Sequence, residues 1–148
     1  MERYTQRFYQ VIIKFITRGQ SSIGYLAFFE DSDIGFSIKR IYYTYEVPLG
    51  TRRGFHAHKE LQQIAWCPYG DITFIIDDGH SKKEVRLNNP SEGLLIQQGI
   101  WHEMIWNKEN SVLCVAASDY YDENDYIRDY DEFIRLVKEG YWNEPEEH

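Results

Sequence analysis

The stretch TFIIDDGHSKKEVRL, residues 73–87, decides the fold. Two short strand-like runs, TFIID and KKEVRL, flank Asp78-Gly79, the dipeptide of a tight hairpin turn, so the piece reads as two antiparallel strands with a local connection. Working outward, Asn88-Asn89-Pro90-Ser91 breaks the chain before the next run. Period two and turn residues predict further strands near 8–16 (FYQVIIKFI), 22–29, 36–46, 61–67, 72–77, 83–87, 93–97, 103–106 and 111–117. A content of 12 Tyr, 8 Phe and 4 Trp, much of it beside β-branched residues, is strand composition. Short strands at this spacing predict an all-β sandwich or barrel. Only the C-terminal stretch changes period. Tyr130, Phe133, Ile134 and Val137 recur at helical spacing and Gly140 is placed to end that helix. With no repeat, linker or low-complexity tract, one domain over residues 1–148 is expected.

Charge narrows the function. Lys and Arg number 16 against 24 Asp and Glu, a formal net charge of −8, which disfavours a nucleic-acid partner or an anionic membrane surface. An anionic ligand must then be met by a few local arginines. The opening MERYTQRFYQVIIKF lacks the pattern of a secretory signal, and no apolar run approaches the roughly 18 residues of a membrane span. Cys67 and Cys114 lie in apolar, strand-like runs and read as buried free thiols. A cytoplasmic protein is expected.

The chemistry concentrates in RRGFHAH, residues 52–58. Period two sends His56 and His58 to one face at the mouth of a strand, and paired histidines behind Arg53-Gly54 are hard to explain as packing. Gly54 lets the backbone turn sharply, Arg53 offers a forked donor for phosphate or carboxylate, and Arg52 reads as a solvated neighbour. His102, in GIWHEM, belongs to a segment that an antiparallel sandwich can return beside the pair. His80, in the turn, and His148, the last residue, are expected to be exposed and inert. In FSIKRIYY, residues 36–43, Arg40 and Tyr42 share one face, which turns either to a cavity or to solvent.

Gly54-x-His56-x-His58-x4-Gln63-x6-Gly70 resembles the first cupin motif, with the neutral amide of Gln63 where metal-binding cupins hold a carboxylate. More specifically, FSIKRIYY, RGFHAHKELQQ, the DDG turn, WHEM and ASDYYDENDYIRDYDEF (117–133) together resemble the sugar 3,4-ketoisomerases, which act on dTDP-4-keto-6-deoxyglucose. The resemblance implies a cupin jelly roll with a short C-terminal helix, a homodimer with exchanged N-terminal strands, no metal and no other cofactor. It also implies a product destined for amino sugars of surface polysaccharides. It turns Arg40 and Tyr42 toward the cavity as substrate-binding residues, with Arg53 and Arg40 as candidates for the pyrophosphate, Tyr42 for a sugar hydroxyl or the developing enediolate, and His102 as a third donor or a contact to the sugar. A histidine, titrating near neutrality, suits the proton transfers of such an isomerisation. His58 is the favoured base at C-3 with His56 as its partner or proton shuttle, and the reverse order stays open. The competing readings are a 3,5-epimerase on the same substrate, a metal-dependent cupin and a non-catalytic sugar-binding cupin.

Overall fold

A computed structural model describes residues 12–143. The elements, in chain order, are β1 (Ile12–Lys14), β2 (Ile16–Gln20), β3 (Gly24–Phe28), α1 (Asp31–Ile34), β4 (Arg40–Thr44), β5 (Arg52–His58) and β6 (Gln63–Tyr69). They continue with β7 (Ile72–Asp77), β8 (Lys82–Leu87), β9 (Glu92–Ile96), β10 (Trp101–Trp106), β11 (Val112–Ala117), β12 (Tyr126–Ile127) and α2 (Tyr130–Lys138). The strands form two five-stranded antiparallel sheets, ordered β1-β9-β6-β11-β4 and β12-β5-β10-β7-β8, with β2 and β3 as a separate ribbon. This is the expected all-β sandwich closed by a C-terminal helix.

Alternation explains the layering. In β7, Ile72, Phe74 and Ile76 are buried and meet Trp106, Leu94, Leu113 and Val115 between the sheets. Trp106 fills the centre, and its indole N–H donates to the carbonyl of Ser111 at 3.1 Å, so the largest buried ring leaves no polar atom unsatisfied. On the outside of the second sheet, α2 opens with Asp129, whose side chain accepts from the Asp131 N–H, and buries Phe133, Leu136 and Val137 against Ala57, Trp101 and Ile127. The helix ends at Lys138, with Gly140 beyond it as the periodicity placed it.

Several local expectations are corrected by the fold. The histidine segment is not the mouth of a strand but a complete strand, β5, paired on both edges. The 36–46 run shortens to 40–44, because a short helix, α1, with Asp33 accepting from the Glu30 N–H, precedes it. The described part of the 8–16 run divides at Phe15 into β1, on the edge of β9, and β2; its first residues, 8–11, lie outside the described region, as does His148. The 78–81 connection is a four-residue loop rather than a two-residue turn, since Asp77 pairs with Lys82 and the Asp78 carboxylate accepts from the N–H groups of His80 and Ser81. Cys67 is a buried free thiol as expected, and Cys114 is free but only half-buried.

The motif glycine Gly70 has a backbone reason for its identity. Its φ is +114°, and a Cβ there would sit 2.0 Å from the Ser111 hydroxyl oxygen. Gly70→Ala is expected to cost about 1–3 kcal/mol of stability, the usual penalty of forced backbone strain. Thermal denaturation of the variant against wild type checks this; an unchanged midpoint would show that the loop relaxes freely.

Candidate active site

The site is built around β5. Its pairing with β10 sets His102 directly opposite His56, and its pairing with β12 sets Tyr126 opposite His58. Three imidazoles and a phenol therefore meet at one point of the sheet. Ring centroids lie 4.5 Å apart for His56 and His102, 5.1 Å for His56 and His58, and 4.4 Å for His58 and Tyr126.

Period two alone would turn Arg53 away from both histidines. A β-bulge corrects this. The register slips between His102, opposite His56, and Glu103, opposite Gly54, leaving Phe55 as the extra residue at a left-handed φ of 60°. Arg53 then pairs with Met104 and joins His56 in lining the same pocket. Gly54 takes a φ of +94°, and a Cβ on it would lie 2.8 Å from both the His102 carbonyl oxygen and the Met104 sulfur. The bulge thus needs glycine where the sequence has it.

The pocket, about 280 Å³, is lined by Arg40, Tyr42, Arg53, His56, Tyr126 and Arg128 among others. A smaller recess of about 80 Å³, bordered by Arg40, His58, Asp125 and Tyr126, adjoins it. Arg40 and Tyr42 share the inward face of β4, while Ile41 and Tyr43 point out, 63% and 64% exposed. All six sequence-predicted site residues therefore border this region or pack on it, with His102 buried behind His56.

Hydrogen bonds define the proton positions. The Nδ1 atoms of His56 and His102 face the carbonyl oxygens of Gly54 and Ile100 at 3.1 and 3.2 Å, and Nδ1 of His58 faces the Asp125 carboxylate at 3.1 Å. Each of these acceptors requires an Nδ1–H, so each Nε2 is left as a bare lone pair. Burial lowers the pKa of all three histidines. For His58, burial and then the positive charge of His56, Arg40 and Arg128 push the value down to about 3. The Asp125 carboxylate works in the opposite direction by favouring an imidazolium. Tyr42 is pushed up to about 12, chiefly by burial, so it stays a phenol. The Gln63 amide donates to the Tyr42 oxygen at 2.8 Å, which leaves the phenolic proton free to be given to a ligand.

The arginines are unevenly satisfied. Arg52, Arg86 and Arg135 pair with carboxylates, and Arg128 is gripped by Glu123 at 2.7 and 3.0 Å while lying over the Tyr126 ring. Arg40 and Arg53 have no carboxylate in salt-bridge range among the described residues, although the chain carries a net charge of −8. Arg40 is held instead between the Tyr42 and Tyr121 rings, with a buried Nε that has no partner. Two such guanidinium groups on one pocket offer forked donors suited to a phosphate or carboxylate.

Gln63 tests the cupin metal option. Its amide turns a donor, not a lone pair, toward the site, and among the described residues no three His, Cys, Asp or Glu side chains are arranged to hold a metal ion. The residues present do not fit the metal centre of metal-binding cupins.

With this geometry in place, comparison with known proteins is decisive. The family described as "FdtA: WxcM-like, C-terminal" matches residues 9–138. The chain is 46% identical over 117 residues to the TDP-4-oxo-6-deoxy-alpha-D-glucose-3,4-oxoisomerase of Aneurinibacillus thermoaerophilus, covering 75% of this chain and 84% of that one. The chain belongs to the sugar 3,4-ketoisomerase family. A 3,4-ketoisomerase from Thermoanaerobacterium thermosaccharolyticum, solved in complex with TDP, superposes with a TM-score of 0.84 at 41% identity, covering 88% of this chain and 96% of that one. Another from Helicobacter canadensis gives 0.81 at 42% identity, covering 86% and 96%.

Three pocket residues of this family member have no role assigned from sequence: Asp125, Tyr126 and Arg128. Tyr126 and Arg128 stand two apart, the spacing that puts both on one face of a short strand, and that signal is present in the sequence. Asp125 has none, because its partner lies 67 residues away.

The depressed histidine pKa values have a kinetic consequence. A histidine of this site acting as general base would need no further deprotonation, so kcat/KM would hold steady from pH 7.5 to 6, with its acid limb below the ordinary imidazole value of about 6.5. Stability follows the same groups. It is full above about 6.5, where folded and unfolded histidines are both neutral, and falls at lower pH as only the unfolded chain takes up protons. A pH–rate profile with parallel thermal melts checks both; an acid limb at or above 6.5 would contradict the site's electrostatics.

Proposed function

We propose that the protein isomerises a dTDP-linked 4-keto-6-deoxy sugar to its 3-keto isomer, in one cupin domain spanning residues 1–148 and without metal or redox cofactor. The observation that carries the mechanism is that His56 lines the pocket of Arg40 and Arg53, two guanidinium groups with no carboxylate partner among the described residues, while His58 borders the adjoining recess with its Nε2 buried and unbonded. The relatives act on or bind TDP-linked ligands by name, which supplies the nucleotide. The pyrophosphate is assigned to Arg40 and Arg53 on the side of the larger pocket, because Glu60, Asp119, Asp122 and Asp125 border the smaller recess and repel an anion there.

The geometry favours the reverse of the histidine order preferred from sequence. His56 lines the larger pocket, is less buried than His58, and is the better candidate to remove the C-3 proton. This leaves an enediolate with its charge on O-4, where the phenol of Tyr42 donates a hydrogen bond. His58 takes the O-3 hydroxyl proton and delivers it to O-4, moving the charge to O-3. His56 then returns its proton at C-4, and the C-3 carbonyl forms. Every proton taken is given back, so atoms and electrons balance within the sugar. His102, fully buried, supports His56 from behind.

Proton NMR of dTDP-4-keto-6-deoxyglucose with the purified, exhaustively chelated protein is expected to show the 3-keto isomer; no turnover, or turnover restored only by a divalent ion, would refute the reading. His56→Asn should abolish C-3 deuterium exchange and turnover together. His58→Asn should keep exchange and lose turnover by roughly 10²–10⁴-fold. The opposite pattern would restore His58 as the base.

The ribbon carries the proposed assembly. Tyr25, Phe28, Phe29, Phe15 and Trp66 line an apolar groove of about 690 Å³, and Ile23, Leu26 and Ile41 are more than half exposed. So much apolar surface on one side calls for a partner, and we assign a second copy of the chain. Ile12–Lys14 pair here with β9 of their own chain, so in the exchanged form the partner's segment would take that place. Sedimentation at micromolar concentration is expected to give a dimer; a monomer would remove this part of the proposal. The free cysteines fit a reducing cytoplasm, the expected location, and no helix among the described residues is long and apolar enough to cross a membrane. Use of the product in amino sugars of surface polysaccharides belongs to the same reading.

A further inference from the structure

Asp125 sits at the end of a single 3-10 turn, Glu123–Asp125, just before β12. Three backbone N–H groups hold it in place. One carboxylate oxygen accepts from the Glu60 N–H at 2.8 Å, the other from the Leu61 N–H at 3.3 Å, and its backbone carbonyl accepts from the Lys59 N–H at 2.9 Å. The chain leaving β5 therefore clamps Asp125 immediately after His58. The oxygen that serves Leu61 also lies 3.1 Å from Nδ1 of His58, with the His58 side chain 2% exposed and that of Asp125 16% exposed.

A second, independent observation concerns the other ring nitrogen. Nε2 of His58 is buried and has no hydrogen-bond partner among the described residues. A buried, unsatisfied acceptor is costly and persists where a ligand supplies the donor. His56, His102 and Tyr126 surround the ring with their faces and edges, at centroid distances of 5.1, 6.2 and 4.4 Å, and none of them bonds to that nitrogen.

We propose that Asp125 is a positioning residue that holds His58 in the Nδ1–H tautomer, so that its bare Nε2 can carry the O-3 proton to O-4. The inference rests on the ketoisomerase reading and deepens it. Nε2 forms one bond to hydrogen and breaks it again, with no net change. It accepts the proton as the O-3–H bond breaks, and gives up the same proton as the O-4–H bond forms, while Nδ1–H stays on the carboxylate throughout. The transient imidazolium faces the charges of Arg40 and Arg128 and is balanced by the Asp125 carboxylate against its Nδ1. A neutral amide at 125 that keeps its oxygen on the closer Glu60 N–H, at 2.8 Å, gives up the 3.3 Å bond from the Leu61 N–H and presents N–H to Nδ1. His58 would then carry its proton on Nε2 and have no lone pair for the O-3 hydroxyl.

The test separates relay from abstraction. Nitrogen-15 NMR of wild-type protein labelled at histidine is expected to show His58 protonated at Nδ1, and Asp125→Asn is expected to move that proton to Nε2. In the same variant, turnover should fall at least about 10²-fold while C-3 exchange with deuterium stays within about threefold of wild type and TDP still binds. The proposal is overturned by a wild-type His58 protonated at Nε2, by turnover in Asp125→Asn within about threefold of wild type, or by joint loss of exchange and turnover in a variant that still binds TDP. The wild-type spectrum decides alone if the variant does not fold. A wild type that neither exchanges C-3 nor isomerises would instead sink the function reading, and the relay with it, whatever the tautomer.

Discussion

The double pairing of β5 is the constraint on which the rest of the site depends. A central strand is held by hydrogen bonds on both edges, so its side chains have little freedom in register or direction. Here one edge carries β10 with His102, and the other carries β12 with Tyr126, with Asp125 just before it. The strand that bears His56 and His58 therefore receives its neighbours from segments about 45 and 70 residues away in sequence, at positions set by the ladder. The hydrophobic core beneath, centred on Trp106 and Phe74, supports that ladder from one side, and Phe133 and Val137 of α2 support it from the other.

The bulge at Phe55 is the one place where the ladder between β5 and β10 is broken, and it brings Arg53 to the cavity. A regular strand would keep His56 and His58 on the cavity face and send Arg53 outward. One extra residue restores Arg53 to the cavity at the expense of a left-handed backbone at a non-glycine. Strain at this point, beside the proposed chemistry, is offset by the well-packed sheet around it.

Electrostatics divides the cavity in two. Arginines line the larger pocket and carboxylates the smaller recess, with Arg40 and Tyr126 shared between them. An acidic chain thus presents guanidinium groups to one pocket without a broad positive surface, because Arg40 and Arg53 form no ion pair with a carboxylate among the described residues. The same burial that strengthens these charges keeps the histidines neutral and the Tyr42 hydroxyl protonated, so base and hydrogen-bond donor coexist near neutral pH.

Much of the fold and of the site is legible in the amino-acid sequence alone. Period two places His56 and His58 together and Arg40 with Tyr42, helical spacing locates α2, and the ordered motifs point to the family, because each of these depends on neighbours within a few residues. What is not legible has the opposite character. The four-residue loop at 78–81 arises from Asp78 capping backbone N–H groups, which outweighs the two-residue preference of Asp-Gly. The bulge arises from registry with β10, and α1 from a cap only one turn long. The tautomers, the depressed pKa values and the Asp125 contact require knowing which atoms the fold buries and which acceptors it brings to each ring. The sequence by itself determined the strand faces, the fold class and the residues able to do the chemistry, since side-chain alternation is a local property of the backbone. Only the tertiary structure decided which arginine turns inward, which nitrogen carries each proton and which carboxylate meets His58, because those follow from long-range pairing and from the low-dielectric interior it encloses.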